Sequence, residues 1–400
     1  MAVYKIFPTQ DTTLYSAYPT MNTGLDAILE ASNKLGLDGL PDVSRYLIQF
    51  DNNEILNIIN DKIGEKEYSV YLKNFISEIQ GINQNTFLEI RPIAQQWNNG
   101  TGQTLDNPII ENGASWAYSK YSGSSPWEES GVYNGPDGII SFTSSYNSLY
   151  SDQGGGNWFF DGSNNLLYVV SGYVVDNYVD NIISALPNIV SESFNIRDNK
   201  DIEVKVDNLV NNWYSGSIPN YGFIVKLSGS QEFDPNKYNQ PEFKYYSVDT
   251  NTIYPPQLEF RWRDYSLYSP STSSIVTTDK LKLALSENPG VFYPSSINRF
   301  YVNVSPLYPT RTYQTSSLFT NLNYLPTASY YAVKDLDTNE FVINFDDQYT
   351  QISSDNRGNY FDVYMSGLEP ERYYKILIKT TINNSVKVFD DNYYFKVVNG

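Results

Sequence analysis

The chain of 400 residues contains no cysteine and no histidine. Without Cys it has no disulfide, no thiolate nucleophile and no thiolate metal ligand. Without His it has no Ser-His-Asp triad, no imidazole for a zinc site and no side chain that ordinarily titrates near neutral pH. A Cys-free chain suits a cytosol, or a life outside a cell that needs no redox chemistry. Long apolar runs are also absent, so no membrane span is expected. The opening MAVYKIFPTQD lacks a charged region followed by an apolar one, so no signal peptide is expected and the chain reads as made in a cytosol. There is no run of Lys and Arg, and 27 basic against 45 acidic side chains leave a net charge of −18. That charge repels phosphate backbones and anionic membranes, which excludes nucleic acid and membrane as expected partners.

What is present points to strands. The chain holds 36 Tyr and 20 Phe, residues that favour pleated, half-exposed surfaces, and it scatters 24 Gly and 20 Pro between short apolar runs. Its length exceeds what one core usually holds, so at least two domains are expected. The expected fold is all-β, with two sandwiches in series. A large, jelly-roll-like one with helical inserts and long loops spans 1–264. A linker follows over 265–295, and a small immunoglobulin- or fibronectin III-like sandwich spans 296–400.

Asp201 to Leu227 is the most informative stretch. Ile202, Val204 and Val206 alternate with Glu203 and Lys205 as in a half-buried strand. Asp207 or Asn208 can cap a helical turn that carries Leu209, Val210 and Trp213 to one side. After a turn, Tyr221-Gly222 lead into a second strand, Phe223 to Leu227. Strands are likewise expected at Ala2 to Phe7, Ile28 to Ala31, Ser44 to Asp51, Tyr68 to Phe75, Thr86 to Pro92 and Gln257 to Arg263. Asp51 to Ile63 reads as a helix with Ile55, Ile58, Ile59 and Ile63 on one stripe. Leu166 to Val170 reads as a strand and Tyr173 to Leu186 has helical spacing.

From Arg299 to Val398, six alternating runs are joined by turn signals at Asp335–Asn339 and at Asn383-Asn384. These are the expected strands of the small sandwich.

The region from Asn98 to Asn165 is rich in turn residues and aromatics, and is expected to form packed loops with Gly154-Gly155-Gly156 as their most flexible point. Trp116, Tyr118, Tyr121, Trp127 and Tyr133 are its candidate binding residues. Flat aromatic rings stack on sugars, and Trp and Tyr add a polar tip. The same residues would equally serve as a loop core or a subunit interface.

Catalytic signals are weak. Glu128-Glu129, Asp346-Asp347 and Asp390-Asp391 are adjacent acids, but neighbours on a strand point to opposite faces and cannot flank one glycosidic bond. Asp335-Leu336-Asp337-Thr338-Asn339 lacks the Gly and the distant Glu of a calcium loop and reads as a hairpin turn. No catalytic residue, metal ligand or cofactor is expected.

Several motifs occur in order: Asp11-Thr12-Thr13, Asn22-Thr23-Gly24, Ser44-Arg45-Tyr46-Leu47-Ile48-Gln49-Phe50-Asp51, Trp97, Trp116, Gly138, the Trp213/Gly216/Asn220/Gly222 series and Pro256-Gln257-Leu258-Glu259-Phe260. Together they resemble the DNRLRE family, a β-sandwich of carbohydrate-binding-module type, over residues 1–264. The long middle and the 173–186 insert depart from its pattern. That resemblance implies polysaccharide binding, or a stalk and adhesion role. In composition and architecture the whole chain looks like the virion structural proteins of large marine tailed phages.

The expected function is therefore a non-enzymatic structural component of such a virion, in tail, baseplate, neck or capsid decoration. It would be present in multiple copies with other virion proteins as partners. The alternative is a carbohydrate-binding or host-adhesion module with a host surface glycan as ligand.

Overall fold

The computed structural model describes residues 2–399 except 128–153, 159–189, 309–321 and the short stretches 38, 40, 83–84, 122–124, 196, 198–199, 228, 233, 235–239 and 269–273. The strand at 166–170 and the helix at 173–186 expected from sequence fall outside the described residues. The chain is all-β, built of several mostly antiparallel sheets. It divides into two compact units. The first comprises Ile6–Lys62 and Val70–Leu258, and the second Met1–Lys5, Ile63–Ser69 and Glu259–Gly400.

From Ala2 to Trp262 the strands are β1 (Ala2–Ile6), β2 (Gln10–Tyr15), β3 (Ile28–Leu35), β4 (Pro41–Gln49), β5 (Tyr68–Asn74) and β6 (Ile76–Gln80). They continue with β7 (Thr86–Pro92), β8 (Val190–Phe194), β9 (Ile202–Lys205), β10 (Phe223–Leu227), β11 (Glu242–Tyr246) and β12 (Gln257–Trp262). Within the first unit, one large sheet runs in the order β6-β11-β3-β4-β10-β7-β8, and β2 also pairs with β4. Separately, β5 pairs with β9, Leu72 lying opposite Val204.

Both faces of β4 are covered: Tyr46, Leu47 and Ile48 are all fully buried. One face carries Tyr46, whose hydroxyl accepts from Asn74 Nδ2 at 2.8 Å and whose ring lies 5.8 Å from Tyr245. The other carries Val43, Arg45 and Leu47.

Two helical elements follow the expected stripes with differences at their ends. Asp51 caps α1 (Asn52–Asn57) through the Asn53 amide at 3.0 Å, and the helix widens into a π-helical turn, Ile58–Ile63. Ile55, Ile58, Ile59 and Ile63 are buried. The wider turn is closed by i→i+5 bonds and keeps Ile58, Ile59 and Ile63 on the buried side. In α2 (Asp207–Tyr214) the buried face is Leu209, Val210 and Trp213, as the spacing predicts. The cap is different: Val206 occupies that position, while the Asp207 carboxylate accepts the Val70 amide at 2.6 Å. A short α3 (Gly229–Glu232) follows β10.

In the second unit lie β13 (Ser274–Ile275), β14 (Leu281–Ser286), β15 (Val291–Phe292), β16 (Ile297–Pro306), β17 (Asn323–Tyr324), β18 (Ser329–Asp335) and β19 (Phe341–Ile343). The last four are β20 (Ser353–Asp355), β21 (Gly358–Tyr364), β22 (Tyr373–Ile382) and β23 (Ser385–Val397). The sheets β14-β16-β21-β20 and β15-β23-β22-β18-β19 pack face to face. Tyr331 of one stacks on Phe361 of the other at 4.3 Å, and Phe300 meets Phe395 at 5.9 Å.

The stretch expected as a linker, 265–295, contains β14 and β15, which pair with β16 and β23. The sheets of the second unit therefore begin inside it. Leu281 and Leu283 alternate with Lys282 and Ala284, a period-two run overshadowed in sequence by its Ser/Thr/Pro neighbours. The predicted hairpin turns are present. Asn383 and Asn384 both adopt positive φ (49° and 63°) in the two-residue loop between β22 and β23, the conformation of a type I′ turn. Asp335 Oδ1 accepts the amides of Asp337 and Thr338 in the turn between β18 and β19.

Candidate functional site

The aromatic loops of the first unit turn inward. Trp97, Trp116, Trp127 and Trp158 join Leu14, Val43, Leu47, Ile93, Ala114 and Ile224 in one apolar cluster over the second face of the large sheet. Trp127 is 1% exposed and donates from Nε1 to Ser115 O at 3.0 Å; Trp97 donates to Tyr221 O at 2.8 Å. Trp116 is 7% exposed. Of the predicted binding residues, then, Trp116 and Trp127 are packing residues that offer no flat face to a sugar. Tyr118 is half-buried, Tyr121 is 55% exposed, and Tyr133 lies outside the described residues.

Beneath these rings lies a buried charge cluster that sequence reading did not single out. Arg45 on β4, Lys226 on β10 and Glu89 and Arg91 on β7 project from one face, because Lys226 pairs with Glu89 and Val225 lies between Tyr46 and Ile90. Arg45 holds Glu232 of α3 in a two-pronged bond, Nε to Oε1 at 2.6 Å and Nη2 to Oε2 at 3.0 Å, with both side chains fully buried. Lys226 Nζ adds a bond of 3.2 Å to Glu232, and Arg91 Nη2 bonds Glu89 at 2.7 Å. The Arg45 guanidinium lies 4.9 Å from the Trp116 ring and 5.3 Å from that of Trp158. Buried charges persist only when they are paired in this way.

Gly155 belongs to the same cluster: its carbonyl accepts from Arg45 Nη1 at 2.7 Å, and a Cβ there would stand 2.5 Å from that nitrogen. Gly154–Gly156 are thus close-approach positions in a packed core, against the expectation that they are the most flexible point of the loops. Asn22 anchors the neighbouring loop, donating to Asn99 O and Ala114 O at 2.6 and 2.8 Å and accepting the Gly102 amide at 2.8 Å. The cluster binds its own charges to one another, so its chemistry is structural.

Among the described residues, two carboxyls are raised furthest from their ordinary values. Burial raises Asp11 to about 8, against the pull of the Val248 amide, which bonds it at 2.7 Å; the charge of Asp249 adds to the rise. Glu192 rises to about 7, chiefly through burial. Of the acid pairs, Glu128-Glu129 lies outside the described residues. Asp346 accepts the amides of Gln348 and Tyr349 in a turn, and Asp390 pairs with Lys375 at 2.6 Å. Among the described residues no group of three or more acids is arranged to hold a metal ion.

Three of the exposed aromatics, Phe341, Tyr373 and Tyr394, lie on one sheet of the second unit. On the outward face of the β18–β22–β23 sheet, Tyr330, Ala332 and Lys334 lie opposite Lys379, Leu377 and Lys375. Tyr373, Lys375, Lys379 and Thr381 in turn lie opposite Lys396, Tyr394, Val388 and Val386. Tyr373 is 52% exposed and Val386 62%. Lysine side chains rest against rings: Lys379 stands 5.0 Å from Tyr330 and 4.9 Å from Phe345, Lys334 5.2 Å from Phe341, and Lys396 5.7 Å from Tyr373. Val388 and Tyr394, 49% and 41% exposed, lie on the same face beside these lysines.

No family model, no characterised protein and no solved structure matches this chain.

Proposed function

We propose that this chain is a non-enzymatic structural protein that acts by assembly, as a component of a tailed-phage virion. The observation that carries the assembly reading is the placement of its aromatics. The tryptophans of the loops are spent on the core of the first unit, whereas Tyr373, Tyr394, Phe341, Val386 and Val388 stand exposed on one sheet face of the second. Exposed aromatic and aliphatic side chains gathered on one face are what a protein partner covers. The virion setting is supported by the acidic, Cys-free, Tyr-rich composition alone.

Carbohydrate binding through the loops is the weaker reading, since Trp116 and Trp127 are turned inward. Mass spectrometry of purified particles tests the virion assignment: the chain should be present in multiple copies, and clean particles that lack it would refute the reading. A glycan array tests the alternative. Binding that is lost in Tyr121→Ala, with melting unchanged, would favour adhesion over assembly.

A further inference from the structure

We infer that the outward face of the β18–β22–β23 sheet docks onto the first, acidic unit of a second copy of this chain. The inference rests on the assembly reading above and names the partner. Its first support is charge. The first unit holds 12 basic and 28 acidic side chains, a net of −16, while the second holds 15 and 17, a net of −2. Nearly all of the negative charge of the chain therefore sits in one unit, and the other carries a cationic face.

The second support is the state of the lysines on that face. Lys375 is paired with Asp390 and Lys396 with Glu371. Lys334 and Lys379 form no salt bridge among the described residues and meet only the rings of Phe341, Tyr330 and Phe345. They share the face with the exposed Tyr373, Tyr394, Val386 and Val388. Exposed apolar side chains with unneutralised cations beside them fit a surface that brings carboxylates, and the first unit of another copy supplies them.

Docking uses the face rather than the strand edge. Register between β22 and β23 shifts around Asp390–Asn392, where Asn392 has a φ of 58°. A charged bulge of this kind deters edge-to-edge pairing. Because the two surfaces differ, the contact is heterologous: each copy offers one of each, and association closes into a ring or continues as a filament. That geometry is the one a repeated structural component needs.

Sedimentation of the purified full-length chain tests this at 50 and 500 mM NaCl, alongside Lys334→Glu/Lys379→Glu and Lys334→Arg/Lys379→Arg, with circular dichroism to confirm folding. At low salt the chain should form concentration-dependent oligomers, weakened at least about tenfold by high salt and by the Glu pair, since exposed charges are screened beyond about 10 Å at 0.1 M. The Arg pair should associate like the parent. A monomer at every concentration up to about 1 mM, or association indifferent to the Glu pair, overturns the inference. So does retention of a monomeric chain on heparin or single-stranded DNA through these lysines, which would assign the face to a polyanion. A chain found in particles yet monomeric alone sinks this inference and leaves the virion reading standing. Oligomers without particle incorporation do the reverse.

Discussion

Replacing Arg45 by Met tests whether the charge cluster holds the first unit together. The substitution keeps much of the side-chain volume but leaves Glu232 buried beside only Lys226, whose Nζ is 3.2 Å away. Three bonds disappear from a buried site, those of 2.6 and 3.0 Å to Glu232 and that of 2.7 Å to the Gly155 carbonyl, and the rings of Trp116 and Trp158 lose the cation against them. Breaking a buried pair from one side costs about 3–5 kcal/mol, and the residual Lys226 contact places the expected loss in the lower half of that range. For a unit of this size that corresponds to a fall in melting temperature of roughly 6–15 °C. Tryptophan fluorescence is the appropriate probe, because every Trp except Trp262 lies in the first unit. Arg45→Met/Glu232→Met removes both charges and should be less destabilised than Arg45→Met alone. If Arg45→Met melts like the parent, or if the double variant loses the sum of the two single losses, the pair does not act as a coupled unit and the reasoning fails.

Trp213 packs 4.5 Å from Phe223 and is buried, so Trp213→Ala should cost roughly 3–5 kcal/mol in the unfolding of the first unit by urea. Unchanged unfolding with weakened oligomerisation would instead mark it as an interface residue. Gly222 has a φ of 90°, and a Cβ on it would lie 2.1 Å from the carbonyl of Ile48. Gly222→Ala should therefore lower stability by more than about 1 kcal/mol, and a neutral result would show that β4 can shift at no cost. Asp11 retains its proton in the folded chain up to about pH 8, whereas the unfolded chain loses it near its ordinary value of 3.8. Its stabilising contribution is thus complete below that ordinary value and is lost as pH rises through about 8. The urea midpoint of the parent should fall between pH 5 and 9, and Asp11→Asn should flatten the slope; an identical slope in both would show that Asp11 is not its source.

Much of the fold was legible because local pattern and environment agree. Thr86 to Pro92 and Phe223 to Leu227 are strands with the bounds their composition predicts, and Ile55, Ile58, Ile59 and Ile63 are buried where helical spacing puts them. The strands at Ile76–Gln80 and Glu242–Tyr246 were not legible. They pair with each other, and Glu242–Tyr246 also pairs with Ile28–Leu35, so both draw their order from partners distant in sequence. Two of the candidate binding residues are packing residues for a related reason. Sequence shows that Trp116 and Trp127 are aromatic and lie among turn residues, but not that a sheet face bearing Arg45, Lys226 and Arg91 stands beneath them to be covered.

By itself, the sequence determined the all-β class, the hairpin turns, the inward face of Trp213 and the exclusion of thiol and imidazole chemistry. Those follow from residue type and from spacing over a few neighbours. Tertiary structure decided which strands pair, and with that where charge collects. Lys334, Lys375, Lys379 and Lys396 form no run in the chain. They meet because β18, β22 and β23 pair in a register that sends every second residue to the same side. Register is a property of the partner strand as much as of the strand itself.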